Sequence, residues 1–448
     1  MGRIVVIDPI TRMSGFLGIE VEVEGDKIID AKAVGNLFRG FEKILKGRHA
    51  LDAVYLTERI CGICSSAHSV ASTLALEDAL EITPSLNVRY IRDLIHAFDI
   101  IQNHIRHFYL FTVPDYVKFD SINPVSETCH KDYRLPVNLN NKIQGDYIKS
   151  IEYSKLAHVG VSILGGKSPH NHGILPGVVT GSLDRFKIEE LKSLINKIKD
   201  FVDNYMLEDV DIISNYYNDY FEKGDTYNNF LSFGLFDYED FSYLKPSVII
   251  NGIRQEFDKD KIRENIAYSW YKIEDGQIVE DINKEGAYSF VKSPRYDKWA
   301  MEVGPLARMI LSGRYKLQNS TMDRITARCL EASVILKIMQ VLIERIEPVE
   351  ERIKYQFKDK AEGIGLTDTT RGALLHFVSL ERDIINGYDI ITPSAWNFSP
   401  RDEISFGTAE KALMGTKIND VNDIVEVGRI VRSFDPCISC ATHVTIRR

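Results

Sequence analysis

Arg59-Ile60-Cys61-Gly62-Ile63-Cys64-Ser65-Ser66-Ala67-His68, early in the chain, and Asp435-Pro436-Cys437-Ile438-Ser439-Cys440-Ala441-Thr442-His443, close to its end, decide how everything between them must fold. Each stretch carries a Cys-x-x-Cys pair. A zinc ribbon keeps its two halves within a few tens of residues, whereas most of the chain separates these pairs. Whatever joins them needs the whole fold. On spacing alone, structural zinc, an iron-sulfur centre and two separate redox disulfides all stay open. Asp435 followed by Pro436 is a helix-start signature, with Asp as the cap and Pro in the first turn. It predicts that Cys437 and Cys440 occupy that turn, where the helix dipole favours thiolate over thiol.

Outward from the pairs, the bulk properties exclude several classes. Of six cysteines only Cys129 and Cys329 lie outside the pairs, so a disulfide framework is not the organising principle. With 448 residues and 44% hydrophobic content the chain can bury a large core. The balance is acidic, 55 Lys+Arg against 64 Asp+Glu, and no basic run is clustered as a phosphate backbone would require. Nucleic acid is excluded as an expected partner. The N-terminus reaches Asp8 and Pro9 too early for a secretory apolar region, and no apolar run approaches the ~18 residues of a membrane span. Export or membrane attachment is therefore expected from another protein.

Ile4 to Ile7, Gly18 to Val23, a Gly25-Asp26 turn and Lys27 to Val34 read as a small sheet with a hairpin. From Ser85 the period changes. Val88, Ile91, Leu94, Ile95, Phe98, Ile105 and Phe108 follow helical spacing, as does a run from Ile188 to Val202 behind Asp184 as N-cap. A third long helix is expected over 324–350, and strand character over 247–292 around Asn251-Gly252 and Asp275-Gly276. The expected class is α+β, mainly helical: a long-helix bundle with small peripheral β-sheets. Such a bundle can bring distant segments together.

The two stretches match RxCGxCxxxH and DPCxxCxxH, and in them the chain resembles the large subunit of nickel-iron hydrogenases. The similarity extends over almost the whole chain, through Asp8-Pro9-Ile10-Thr11-Arg12, Phe38-Arg39-Gly40-Phe41-Glu42, Gly165-Gly166-Lys167-Ser168-Pro169-His170, 301–308, Arg371-Gly372-Ala373-Leu374 and Pro393-Ser394-Ala395-Trp396-Asn397. It implies the hydrogenase large-subunit fold and reversible cleavage of H2 into protons and electrons, in the uptake direction, at nickel joined to an iron that carries CO and cyanide. Cys61 and Cys437 would bind nickel terminally, Cys64 and Cys440 would bridge the metals, and Cys437 would accept the proton. Soft thiolates suit low-valent metals. Arg371 would overhang the metals and help polarise the bond, with Asp115 and Asp435 pairing to hold it. Ser394 would donate to a cyanide, which as a buried acceptor needs donors, and His68 would orient a thiolate. Glu42 and His443 would hold a magnesium-type ion, a carboxylate being suited to a hard cation. Without the resemblance, Ser394 reads as a loop residue, His68 as structural and Glu42 as a solvated helix charge.

One departure matters chemically. Most family members carry Glu in the N-terminal motif, and this chain has Thr11-Arg12-Met13-Ser14-Gly15-Phe16. Ser14 can relay a proton but cannot hold one as a carboxylic acid does. The expected exit is through Asp115, His104, His107 or ordered water. Thr370 stands before Arg371, where Pro is common in the family.

Electrons also have to leave, yet Cys129 and Cys329 are too few to ligate an iron-sulfur cluster. The resemblance implies a small subunit that carries the clusters and an apolar heterodimer interface; Cys329 is expected in the core. It also implies nickel-insertion proteins and a maturation protease cutting after His443. Residues 1–443 would then form a single domain and 444–448 a removable extension. The expected location is membrane-associated through partner subunits, with the cytoplasm as the alternative. Two other readings compete: a metal-free hydrogenase-like subunit of a respiratory complex, which four retained cysteines oppose, and a structural zinc protein, which leaves the remaining motifs without a reason.

Overall fold

The computed structural model describes residues 2–119, 130–181, 183–348 and 353–441. Its centre is a helix that periodicity could not reveal. Ser65–Leu80 begins directly after the first Cys pair, and 14 of its 16 residues are buried, so no polar face marks it in the sequence. On one side it meets an antiparallel sheet of Lys360–Thr369, Gly372–Glu381 and Ile384–Ile391. Small residues make that contact possible. A Cβ at Gly363 or Gly365 would come within 3.0 Å of the backbone at Ala75 and Ala71 respectively.

On the other side stand the long helices Leu86–Arg106, Val137–Gly165, Arg185–Phe201 and Thr321–Ile343. The first, third and fourth are the expected ones, each opened by a capping side chain: Ser85 Oγ accepts from Val88 N at 3.2 Å, Asp184 from Lys187 N at 2.8 Å and Ser320 from Asp323 N at 3.0 Å. The last helix stops at Ile343, short of the expected 350, and turns out of the helix there. The 137–165 helix was not foreseen. Its Gly160 lets the Phe98 ring close over the backbone.

The N-terminal sheet pairs Arg3–Ile7 with Leu17–Glu24 and the latter with Lys27–Gly35, as the alternation in the sequence implies. Leu17, Ile19, Val21 and Val23 point inward and share a core with Val427, Ile430, Val431 and Ile438. Burial of this face therefore docks the start of the chain against its C-terminal motif. Strands over 247–296 follow the expected turns, with Asn251, Gly252, Asp275 and Gly276 all at positive φ.

Candidate metal centre

The two Cys pairs meet. Cys61 Sγ lies 3.5 Å from Cys437 Sγ and Cys64 Sγ 3.8 Å from Cys440 Sγ, all four buried. Cys61, Cys64 and Cys440 offer sulfurs within 4.8 Å of one another.

Local structure aims each sulfur. Glu58–Ile60 forms a 3-10 turn, Cys61 follows in extended conformation, and Cys64 caps the 65–80 helix. The helix-dipole argument made for the second pair thus applies to the first. Ile63 N–H also donates to Cys61 Sγ at 3.3 Å. Among the described residues the second pair has the short helix Ile438–Ala441, and Asp435 does not cap it. This corrects the sequence expectation. Its backbone is held instead by Ser394 Oγ, which accepts from Cys437 N at 2.9 Å, and by Ser14, whose carbonyl accepts from Ile438 N at 2.9 Å. Gly15 makes the second contact possible: its φ is 89° and a Cβ would lie 2.5 Å from Ser439 N.

Arg39 ties the pairs together. Its guanidinium donates to the carbonyls of Arg59 and Ser439, both at 3.0 Å, and to that of Ile60. The Phe38–Glu42 motif marks this residue in the sequence, but its role comes from these contacts alone. Hydrogen bonds from the other three sulfurs pull the Cys61 thiol down, while Cys64 and Cys440 are pushed up, Cys440 by burial above all.

Arg371 lies in the Thr369–Gly372 hairpin tip and is 2% exposed. It donates to Asp435 through Nε to the carbonyl at 2.8 Å and Nη2 to Oδ1 at 2.9 Å. Nη1 has no hydrogen-bond partner among the described residues. Burial opposes its charge, but Asp435 and the cysteines overcome that and hold the pKa well up. Asp435 sits at φ 59° and also receives Asn103 Nδ2 at 2.7 Å and Arg328 at 3.2 Å. Despite burial, Arg371 and its neighbours keep the Asp435 carboxyl below the usual carboxylate range.

Asp115 is a correction. It does not pair with Arg371; it receives Arg432 Nε at 2.6 Å and Nη2 at 2.7 Å together with Arg12. Its helical turn packs against the 425–433 helix, and through Arg12 it anchors the loop that carries Ser14. The residue on Asp435 is Asn103, which sequence reading missed because an Asn inside a helical pattern carries no motif.

His68 Nδ1 lies 3.1 Å from His376 Nε2, whose Nδ1 lies 2.8 Å from Tyr388 Oη. Burial takes His68 down to about 4. Glu42 is buried rather than solvated, near Tyr271 and Tyr388, whose hydroxyls are pushed up by burial and by its charge. Cys329 is a core residue. His443, Cys129 and 444–448 lie outside the described residues.

A metal–sulfur bond of about 2.3 Å places tetrahedral sulfurs about 3.8 Å apart, so the sulfur separations fit a thiolate-held metal. The buried Arg371 Nη1 fits an acceptor belonging to the bound group.

The sequence profile of the nickel-dependent hydrogenase family matches residues 39–128, 126–319 and 311–443. The periplasmic [NiFeSe] hydrogenase large subunit of Desulfomicrobium baculatum is 34% identical over 98% of this chain and 94% of that protein. The hydrogenase-2 large chain of Escherichia coli K12 is 29% identical over 99% and 98%. The solved Ni-Fe-Se hydrogenase from D. vulgaris Hildenborough in its reduced state superposes with a TM-score of 0.94 at 34% identity, covering 99% of this chain and 100% of that one. Among the described residues no helix is long and apolar enough to cross a membrane. A four-cysteine centre built from both chain ends and a match along the whole length place this chain in the nickel-dependent hydrogenase family, as a hydrogenase large, catalytic subunit that works with a small-subunit partner.

Proposed function

We propose that the chain oxidises H2 in the uptake direction with sulfur alone at the four metal-binding positions: Cys61 and Cys437 would hold nickel terminally, and Cys64 and Cys440 would be shared between nickel and iron. The observation that carries this reading is the convergence of four buried sulfurs within reach of the charge of Arg371, whose Nη1 has no partner among the described residues. The bound nickel and iron, the latter with CO and cyanide, supply H2 activation and the electron sink. Cys437 Sγ takes the proton released by heterolytic cleavage. Arg371, pinned through Asp435 to Arg328 and Asn103, presents a fixed positive charge and a spare N–H. Ser394 accepts from Cys437 N, which leaves its own hydrogen for a cyanide nitrogen. His68 is held by His376 and orients the thiolate beside it.

Glu42, with His443, holds a magnesium-type ion near the C-terminus. Electrons pass to iron-sulfur clusters in the small subunit, and nickel-insertion proteins and a protease complete maturation by cutting after His443. Attachment to a membrane comes through those partners. Metal analysis of the purified heterodimer tests the centre: nickel and iron near one each per large subunit, with infrared bands for CO and cyanide, support it. Stoichiometric zinc without those bands refutes it. A mass ending at His443 supports trimming.

A further inference from the structure

A proton released at a buried thiolate site needs a group that can hold it, and the groups first expected to do so are unsuitable in this fold. Ser14 has no carboxyl. Asp115 is clamped by two arginines that hold its carboxyl well below the usual range against the effect of burial. His104 is locked between Arg328 at Nδ1, 3.1 Å, and Glu331 at Nε2, 2.8 Å, and His107 donates to the Arg432 carbonyl at 2.7 Å. Neither can turn over its hydrogen bonds without breaking a buried network.

The Leu86–Arg106 helix offers something else. Asp99, Gln102, Asn103 and Arg106 recur at helical spacing, so they form one polar stripe along this helix. Gln102 Nε2 donates to the Ile63 carbonyl between Cys61 and Cys64 at 2.9 Å, which fixes where the stripe points. Asp99 is 4% exposed, and its Oδ2 has no partner among the described residues; Gln102 Oε1 and Asn103 Oδ1 likewise have none. Three buried acceptors side by side require donors, and water is the donor that fits such a set. The Asp99 carboxyl receives the Ala67 N–H in the first turn of the 65–80 helix, and Cys61, Arg106, Arg371 and Glu58 are the charged groups around it.

Glu58, in the 58–60 3-10 turn, meets the same end of the 65–80 helix through Ser69. Its Oε1 accepts from Asn171 Nδ2 at 2.9 Å, and the same amide reaches Ser66 and Ser69 at 3.4 Å. Its Oε2 lacks a hydrogen bond among the described residues and lies 3.6 Å from the exposed Arg59. His170, half-buried, lies 3.0 Å from Ser65 Oγ beside it.

We propose that Asp99 is the carboxyl that takes the proton from the thiolate site in this chain, through intervening water, and that Glu58 passes it to the surface beside Arg59 and His170. The S–H bond breaks as an O–H bond forms on Asp99; the proton then moves to Glu58 and to solvent, and no electron travels with it. Burial, as the largest influence, raises both carboxyls, Glu58 to about 8, which suits groups that must hold a proton near neutral pH. The inference rests on the metal-centre reading given above.

Infrared titration of the nickel-loaded wild-type heterodimer near neutral pH should show a protonated-carboxyl C=O band that shifts in D2O and vanishes in Asp99→Asn. Asp99→Asn should keep its nickel and iron yet oxidise H2 more slowly by on the order of 10²-fold, with Asp99→Glu restoring most of the rate. Glu58→Gln should slow turnover while the Asp99 band persists. A loaded wild type without the band, or Asp99→Asn at the wild-type rate, overturns the proposal. If Asp99→Asn fails to load nickel, the wild-type band and Glu58→Gln decide by the same criteria. A wild type that never contains nickel refutes the metal-centre reading instead.

Discussion

Replacing Asp435 by Asn isolates the electrostatic support of the centre. The carboxylate is buried and receives Arg371 at 2.9 Å, Arg328 at 3.2 Å and Asn103 at 2.7 Å. Asn keeps the shape and removes the charge, leaving two buried guanidinium groups facing each other without it. Removing one partner of a buried ion pair costs about 3–5 kcal/mol. For 448 residues at about 2.1 cal/mol/K of unfolding entropy each, that corresponds to a Tm drop of about 3–5 °C. Differential scanning calorimetry of the purified heterodimer reads it, with nickel content measured on the same samples. The pH dependence has a definite sign. The folded pKa of Asp435 lies below its unfolded value of about 3.9, so its contribution is complete above that value and fades as pH falls toward the folded pKa. The Tm gap between wild type and Asp435→Asn should therefore be constant near neutral pH and close below about pH 4. An Asp435→Asn protein with unchanged Tm and unchanged metal content would refute the view that this carboxylate anchors Arg371.

Gly365→Ala should destabilise the protein by about 1–3 kcal/mol, because its Cβ would press on the Ala71 carbonyl and push the sheet off the central helix; thermal unfolding checks this. Ser394→Ala should remove the acceptor for Cys437 N–H, costing about 1 kcal/mol, and shift a cyanide stretching band in the infrared. Ser14→Glu should leave H2 turnover close to wild type if protons leave through Asp99, whereas a large rise would mean that the native route is impaired. Arg39→Ala should lower nickel occupancy, since it frees the two Cys segments from each other; elemental analysis of the purified variant decides.

Elements that carry their own periodicity or turn chemistry were legible from the residues alone. The N-terminal hairpin, the helices behind Ser85 and Asp184, and the Asn-Gly and Asp-Gly turns all stand where local pattern put them, while the third expected helix runs over Thr321–Ile343 rather than 324–350. The 65–80 helix did not, because a segment buried on every side loses the apolar-polar alternation that marks a helix. The four cysteines were equally legible as two reactive pairs, but only the tertiary structure brings the pairs into one centre.

Partners could not be read in that way. Asp115 and Asn103 lie within a dozen residues of each other, yet only packing decides which one meets Asp435 and which one meets Arg12 and Arg432. The same holds for Arg39, whose donors reach carbonyls at both ends of the chain. Residue type sets which chemistry a side chain can perform, and that information is local. Which groups face one another inside a low-dielectric core depends on contacts between segments far apart in the chain. Charge, proton affinity and hydrogen bonding there are set by neighbours that only the folded arrangement supplies.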